Sequence, residues 1–127
     1  MQLCYMTTVF NAETTIGATV ESSFLADDKV SAHIIVDDGS TDGTPDVLEA
    51  LKARHGDKLR IITTGRVGRA NALNLALEEA ESVADVAMNI DADDVSAPHR
   101  PAATERFYHP DLACCGGAAA MVHPTSS

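Results

Sequence analysis

Short runs of apolar, β-branched residues alternate along this chain with stretches in which apolar residues recur at helical spacing. The first pattern predicts buried strands and the second predicts amphipathic helices. The predicted strands are Gln2 to Val9, Ala32 to Val36, Leu59 to Thr63, Val83 to Ile90 and a small-residue region from Leu112 to Val122. The predicted helices are Glu13 to Ala26, Thr44 to Gly56, Ala70 to Ala80 and Pro98 to Tyr108. This alternation indicates βαβ units and a mostly parallel α/β sheet with right-handed crossovers.

The second helix has clear limits in the sequence. Thr44 offers a hydroxyl as the N-cap, and Pro45 follows at the first helical position. Gly56 then ends the helix, as glycine commonly does.

Polar loops follow four of the predicted strands. The carboxyl ends of parallel strands lie at one edge of a sheet, and ligands of open α/β sheets bind at that edge. We therefore expect the loops at Asn11, Asp38, Gly65 to Arg69 and Asp91 to Asp94 to gather there.

The loop after the fourth strand is strongly acidic. Asp91 and Asp93 alternate along an extended strand end, so their side chains point the same way. Carboxylate oxygens in a polar cleft suit Mg²⁺ or Mn²⁺, and such a cation would offset the repulsion between neighbouring acids. The alternative is a helix cap, since Asp94 or Ser96 could cap a helix that begins near Pro98. We expect Asp94 to be closer to a cap and Asp93 closer to a metal.

Two further acids end the second strand. Asp37 and Asp42 suit an Asx turn or a cap in the strand-to-helix loop. A free Asp38 carboxylate could instead accept a hydrogen bond from a base imide or a ribose hydroxyl. The spacing leaves both interpretations open.

The third loop is basic. A helix begins just after Arg69, so backbone N–H groups and a guanidinium could together face a phosphate. The alternative for Arg66 and Arg69 is a solvated loop charge. Asn71 and Asn74 lie in a helix otherwise rich in Ala and Leu, and each suggests a specific hydrogen bond because Asn is a poor helix former. The scattered histidines suggest structural or exposed positions.

Composition narrows the classes of partner. The 127 residues suit one domain with a hydrophobic core. The net charge of −10 argues against nucleic acid or an anionic membrane as partner, because both need a basic surface. A single nucleotide stays compatible, since a metal ion can supply positive charge locally.

Cysteine usage and hydropathy suggest a compartment. Cys4, Cys114 and Cys115 give no disulfide framework, and we expect all three to be reduced and buried. No apolar run is long enough to span a membrane, and the N-terminus lacks a secretory leader pattern. We therefore expect a cytoplasmic location.

Four segments carry a more specific pattern: Thr7 to Glu13, Ile35 to Thr44, Gly68 to Asn74 and Asn89 to Asp94. Their order and spacing resemble the family 2 glycosyltransferases of GT-A fold across nearly the whole chain. The second and fourth segments are the most specific. The first departs from the family, which usually has a proline where Thr7 stands.

The resemblance implies a three-layer α/β/α, Rossmann-like fold and transfer of a sugar from a nucleotide diphosphate sugar, typically a UDP-sugar, with inversion. It implies that Asp38 binds the base, that Arg69 lies near the nucleotide, and that Asp93, with Asp91, binds Mn²⁺ or Mg²⁺. That cation would neutralise charge developing on the diphosphate leaving group. The implied nucleotide-sugar-binding residues are Thr8, Phe10, Asn11, Glu13, Asp38, Gly39, Ser40, Gly68, Arg69, Asn74, Asp91, Ala92 and Asp93.

The acceptor half of the family's machinery is expected to be absent. We predict one nucleotide-sugar-binding domain over residues 1–122 and a tail over 123–127. Family members are usually longer, and their second half supplies the acceptor site and a carboxylate base, which an inverting transfer needs. His109, Asp111 and His123 match no motif for that base, so no catalytic residue is identified. The sequence leaves the acceptor and any oligomer open.

Two alternatives stay beside this interpretation. The chain could be a non-catalytic nucleotide-binding module. Asp91 to Val95 also fits the DxDx[T/V] motif of haloacid dehalogenase phosphatases. Those phosphatases need a later lysine, as receiver domains do, and no lysine follows Asp94.

Overall fold

Strands and helices alternate along the chain, as the hydrophobic pattern predicts. A computed structural model describes residues 2–25, 30–96, 101, 114–115 and 119–121. The strands are β1 (Leu3–Val9), β2 (Val30–Asp37), β3 (Leu59–Thr63), β4 (Val86–Asn89), β5 (Cys114–Cys115) and β6 (Ala119–Met121). The helices are α1 (Ile16–Ser23), α2 (Thr44–His55) and α3 (Arg69–Glu81), with a 3₁₀ turn at Gly56–Lys58.

The strands form one mostly parallel sheet in the order β3-β2-β1-β4-β6-β5. Strands β1 to β4 are parallel, whereas β6 runs antiparallel to both β4 and β5. The region predicted at Leu112 to Val122 therefore contains two short paired strands. The chain adds β2 and β3 on one side of β1 and then places β4 on the other side. This reversal makes the carboxyl ends of β1 and β4 a topological switch point, where open α/β sheets bind ligands.

Helices cover both faces of the sheet, which confirms the three-layer prediction. On one face α3 packs three alanines against buried residues of β1 and β2; the alanines are Ala72, Ala76 and Ala80. On the other face α1 and α2 pack on the sheet through Ile16, Val20, Leu48 and Leu51. Cys4 lies in the first of these cores as a free thiol, and burial raises its pKa to about 12.

Two elements begin three residues later than the sequence predicts. Helix α1 begins at Ile16 rather than Glu13, because the N–H groups of Thr15 and Ile16 both donate to the Ala12 carbonyl in a preceding turn. Strand β4 begins at Val86 rather than Val83. The N–H of Val83 still bonds to the Ala80 carbonyl and so continues the end of α3.

The N-cap of α2 also differs from the residue that the sequence predicts. Gly43 is the N-cap, and Thr44 is already helical. The Thr44 hydroxyl instead accepts a hydrogen bond from the Ala12 N–H at 2.9 Å. Asp42 supplies the local side-chain contact, because its Oδ1 accepts from the Thr44 N–H at 2.9 Å.

Several predictions lie outside the described residues. Apart from Pro101, they include the helix at Pro98 to Tyr108, the domain limit at residue 122 and the tail over residues 123–127. The side chains of Cys114 and Cys115 are also outside that description. Within it, no helix combines the length and apolar character needed to cross a bilayer.

Candidate functional site

Loops from the carboxyl ends of β1 to β4 line a cavity of about 650 Å³. The predicted gathering of these loops is therefore confirmed. The structure brings most of the predicted site residues to this cavity: Thr8, Phe10, Asn11, Asp38, Arg69, Asp91, Ala92 and Asp93. The cavity lies at the switch point between β1 and β4, where the topology predicts a ligand.

Five predicted site residues do not line the cavity: Glu13, Gly39, Ser40, Gly68 and Asn74. Glu13 turns its carboxylate toward Gly43, since a Cβ built on that glycine would meet Oε2 at 2.4 Å. Asn74 is exposed on α3. The two glycines and Ser40 instead contact residues of the neighbouring loops.

The Asp38 carboxylate is buried and already bonded, in contrast to the free carboxylate that the sequence suggested. Its Oδ1 accepts from the Thr64 hydroxyl and the Val67 N–H, both at 2.7 Å, and its Oδ2 accepts from the Gly68 N–H at 3.0 Å. The Thr64 hydrogen bond leads the contacts that lower the pKa of Asp38, which stays ionised. Each carboxylate oxygen has about two acceptor sites. Oδ2 accepts one hydrogen bond, from Gly68, and Arg66 Nη1 lies 3.5 Å from the same atom.

Asp37 and Asn11 fasten the loop after β2. Asp37 Oδ1 accepts from the Ser40 N–H, three residues on, at 3.0 Å, whereas the predicted Asx turn forms at Asp42, whose Oδ1 accepts from the Thr44 N–H two residues on. Asn11 has a φ of 55°, and its Oδ1 accepts from the Thr41 N–H at 2.7 Å. Its own N–H donates to the Ser40 hydroxyl at 2.9 Å. Asn is one of the few residues that adopts this left-handed conformation readily.

Gly39 allows the third loop to approach the second. Its φ is 81°, and a Cβ there would meet the Arg66 nitrogen at 3.2 Å and the Thr64 carbonyl oxygen at 3.3 Å. Glycine is the residue that tolerates both the dihedral and the close approach.

Arg66 lines the cavity, although the sequence prediction left it out of the site. Its guanidinium carbon lies 3.7 Å from the centre of the Phe10 ring, and its Nη1 lies 3.5 Å from Asp38 Oδ2. The residue has a φ of 60°, in the left-handed region that residues other than glycine seldom adopt. A solvated charge was one of the two interpretations of Arg66, because the local sequence does not indicate a contact with Phe10, which is far away in the chain.

The acidic loop after β4 presents its carboxylates to solvent. One carboxylate oxygen from each of Asp91, Asp93 and Asp94 can lie within 4.8 Å of the others, and all three residues are exposed. Arg69 Nη2 pairs with Asp91 Oδ1 at 3.1 Å. Hard carboxylate oxygens converging beside a cavity fit Mg²⁺ or Mn²⁺. The helix that Asp94 was expected to cap lies outside the described residues.

Comparison with known proteins identifies the architecture. A family model described as "Glycosyl transferase family 2" matches residues 4–120. The chain belongs to this glycosyltransferase family. An uncharacterised glycosyltransferase of Nostoc sp. is 39% identical over 67 residues, which are 53% of this chain and 20% of that protein. EpsE of Bacillus subtilis, whose name assigns it as a glycosyltransferase, is 32% identical over 93 residues, or 72% of this chain and 33% of EpsE.

Solved structures agree on the GT-A fold. The mannosyltransferase PcManGT of Pyrobaculum calidifontis, solved with GDP-Man and Mn²⁺, has a TM-score of 0.68 and 28% identity, with 77% of this chain and 29% of that chain covered. S. aureus TarS 1–349, solved with UDP-GlcNAc, has a TM-score of 0.71 and 24% identity, with 84% and 31% covered. The family 2 chain thus spans about a fifth to a third of the length of these proteins.

No histidine among the described residues of this family 2 chain lines the cavity. His33 is buried and contacts the hydroxyls of Thr7 and Ser23 through its two ring nitrogens. His55 binds Glu21. Both histidines are structural, as the sequence predicted.

Proposed function

We propose that this chain is the donor-binding part of an inverting glycosyltransferase that takes a nucleotide diphosphate sugar, most favourably a UDP-sugar, together with a divalent cation. One observation carries the proposal. A cavity at the switch point has the ionised Asp38 carboxylate and an acidic cluster among the groups that line it. A nucleotide diphosphate has matching chemistry, since its base offers hydrogen-bond donors and its diphosphate needs a cation.

Base recognition is assigned to Asp38. The imide N–H of uracil would take the second acceptor site on Oδ2, in place of the Arg66 Nη1 that lies 3.5 Å away. Guanine also offers ring and amino N–H donors, and PcManGT was solved with GDP-Man. Titration with UDP and with GDP therefore tests the preference for uracil.

Diphosphate binding is assigned to Asp91, Asp93 and Arg69. The two carboxylates would hold Mn²⁺ or Mg²⁺, which would neutralise charge on the diphosphate leaving group. Arg69 brings a guanidinium, which matches phosphate geometry, from the first turn of α3. Thr8, Phe10, Asn11 and Ala92 complete the proposed contacts. Roles for Glu13 and Asn74 in nucleotide binding stay predictions, as do the domain limits 1–122 and a cytoplasmic location.

Transfer to an acceptor belongs to the whole protein. An inverting transfer needs a base that deprotonates the acceptor hydroxyl. No described residue is assigned that role here. Donor binding without transfer, as in a non-catalytic module, is the outcome that would separate the two functions.

The test is calorimetric titration of the chain with UDP, GDP and their sugars, with and without Mn²⁺. We expect Asp93→Ala to weaken Mn²⁺-dependent binding and to leave the fold intact. Asp38→Ala should weaken binding with or without Mn²⁺. Asp57→Ala, which removes an exposed acid from the 3₁₀ turn, is the matched control. Absence of binding at millimolar ligand would overturn the proposal, and so would an Asp93→Ala variant with unchanged Mn²⁺-dependent affinity.

A further inference from the structure

Hydroxyl groups on one side of α1 contact the backbone of the acidic loop. The Thr19 hydroxyl is fully buried and lies 2.9 Å from the Ala92 carbonyl oxygen and 2.6 Å from that of Asp94. One turn along the helix, the Ser22 hydroxyl accepts from the Ser96 N–H at 2.8 Å. The loop is therefore tied to this one helix at Ala92, Asp94 and Ser96.

The Thr19 hydroxyl is used for this contact rather than for its own helix. A helical threonine commonly donates to the carbonyl four residues earlier. Here the Thr15 carbonyl lies 3.3 Å away, farther than either loop carbonyl. A hydroxyl has a single proton to donate, so the two loop carbonyls share one donor. That shared donor brings the carbonyls of Ala92 and Asp94 together across Asp93.

Three further contacts of the loop also use its backbone, beside the ion pair of the Asp91 carboxylate with Arg69. The Thr7 hydroxyl donates to the Ile90 carbonyl at 2.9 Å, and the Ile90 N–H donates to the Met6 carbonyl at 3.0 Å. Within the loop, the Asp94 N–H donates to the Asp91 carbonyl at 3.0 Å. None of these three backbone contacts uses a carboxylate of the cluster. The loop is thus fixed in a shape that leaves its carboxylates turned to solvent.

We propose that Thr19 is a positioning residue, which sets the geometry of the Asp91, Asp93 and Asp94 carboxylates for a divalent cation. The inference rests on the proposed function, because it assigns the cation to that cluster. Mg²⁺ and ions of similar size demand closely defined ligand geometry. Like charges resist convergence, and a backbone held by a buried hydroxyl keeps the carboxylates near one another before the ion arrives.

Two substitutions of Thr19 distinguish the effect of its hydroxyl from the effect of its shape. Thr19→Val keeps the volume and removes the hydroxyl, whereas Thr19→Ser keeps the hydroxyl. Outer residues that orient metal ligands typically contribute about 10-fold to 100-fold in metal affinity. We expect Thr19→Val to weaken Mn²⁺-dependent UDP binding by about 10-fold. Thr19→Ser should bind nearly as well as the original chain, and metal-free UDP binding should be the same in all three.

The readouts are calorimetric titration with UDP at several Mn²⁺ concentrations, and amide hydrogen exchange at Asp93 to Val95 without metal. Exchange there should become faster in Thr19→Val alone. Thr63→Val, at an exposed position on β3, is the matched control. If Thr19→Val does not fold, Ser22→Ala takes its place, with the same selective loss expected.

The outcomes distinguish the two proposals. If the original chain binds UDP with Mn²⁺ and Thr19→Val binds equally well, the positioning role is wrong and the proposed function stands. Equal losses in Thr19→Val and Thr19→Ser would also overturn it, because the hydroxyl would then not be the cause. If the original chain shows no Mn²⁺-dependent binding, both proposals fail.

Discussion

The carbon of the Arg66 guanidinium lies over the Phe10 ring, 3.7 Å from the ring centre. The two residues come from loops after different strands, β3 and β1, and both line the cavity. A guanidinium stacked on one aromatic ring offers its other face to a second planar group. The pair therefore forms a cationic platform on which a nucleobase can stack.

Removing Arg66 should weaken binding of the base. Stacking of a base on protein side chains is worth about 1–3 kcal/mol, so we expect Arg66→Ala to weaken UDP and uridine alike by about 10-fold. Titration calorimetry with both ligands checks this. Arg54→Ala, on the exposed side of α2, is the control. Tighter binding by Arg66→Ala would mean that the guanidinium occupies the place of the base.

Arg69 should distinguish the diphosphate from the base. Its ion pair with Asp91 joins side chains that are 72% and 53% exposed, so it adds only about 0–1 kcal/mol to folding stability. We expect Arg69→Ala to lower UDP affinity by about 10-fold, because a phosphate loses its guanidinium partner, and to leave uridine affinity unchanged. Titrations with the two ligands, at low and high salt, measure the difference. An equal loss for uridine would contradict a phosphate role.

Gly39 should resist substitution. Alanine at a left-handed position costs about 1–2 kcal/mol, and its Cβ would also press on the backbone of Thr64 and Arg66. We expect Gly39→Ala to reduce the free energy of unfolding by at least about 1 kcal/mol in urea denaturation. Gly65→Ala is the matched control, since a Cβ there meets nothing within 4 Å. Equal stability of the two variants would show that the loop packing does not require a glycine at Gly39.

His33 should make the fold sensitive to acid. Burial, with a smaller contribution from His55, lowers the pKa of His33 to about 3. Between that value and the ordinary value of 6.5, the unfolded chain binds the proton and the folded chain does not. The free energy of unfolding should therefore fall as the pH drops from 6.5, by at most about 1.4 kcal/mol per pH unit from this group.

Urea unfolding at pH 7, 6, 5 and 4 measures this slope. His33→Gln should be less stable at pH 7, because it disturbs the contacts to Thr7 and Ser23, but it should lose the dependence on pH between about 7 and 5. A slope that persists in His33→Gln would assign the acid sensitivity to other groups. Asp38, whose pKa is lowered from 3.8, begins to lose its stabilising contribution as the pH falls toward that ordinary value, so it affects the measurement at pH 4 but hardly the interval between pH 7 and 5.

The sequence predicts the frame of this fold better than its loops. Strand β3 has the predicted limits of Leu59 to Thr63, and Gly56 ends α2 as expected, because apolar runs and glycine act locally. The N-cap of α2 was not predicted correctly, because the Thr44 hydroxyl accepts a hydrogen bond from the Ala12 N–H in another loop. A contact of that kind depends on how two loops meet in space.

The same limit applies to the candidate site. The four loops gather because parallel strands share one edge, so Asp38, Arg69, Asp91 and Asp93 were found from the sequence. What the sequence left open is how each carboxylate is used. Asp38 accepts from three donors in the loop after β3, and the pairing of Arg66 with Phe10 requires both loops to be folded. Neither fact leaves a local pattern.

Ala72 belongs both to the core beneath α3 and to the lining of the cavity. The methyl group that lets this helix lie close to the sheet is fully buried, and its residue borders the cavity. A bulkier residue at this position would reduce the space in the cavity and would displace the first turn of α3, which carries Arg69. The size of the molecule that this cavity admits therefore depends on how closely α3 packs on the sheet, so a change in that packing also changes the cavity.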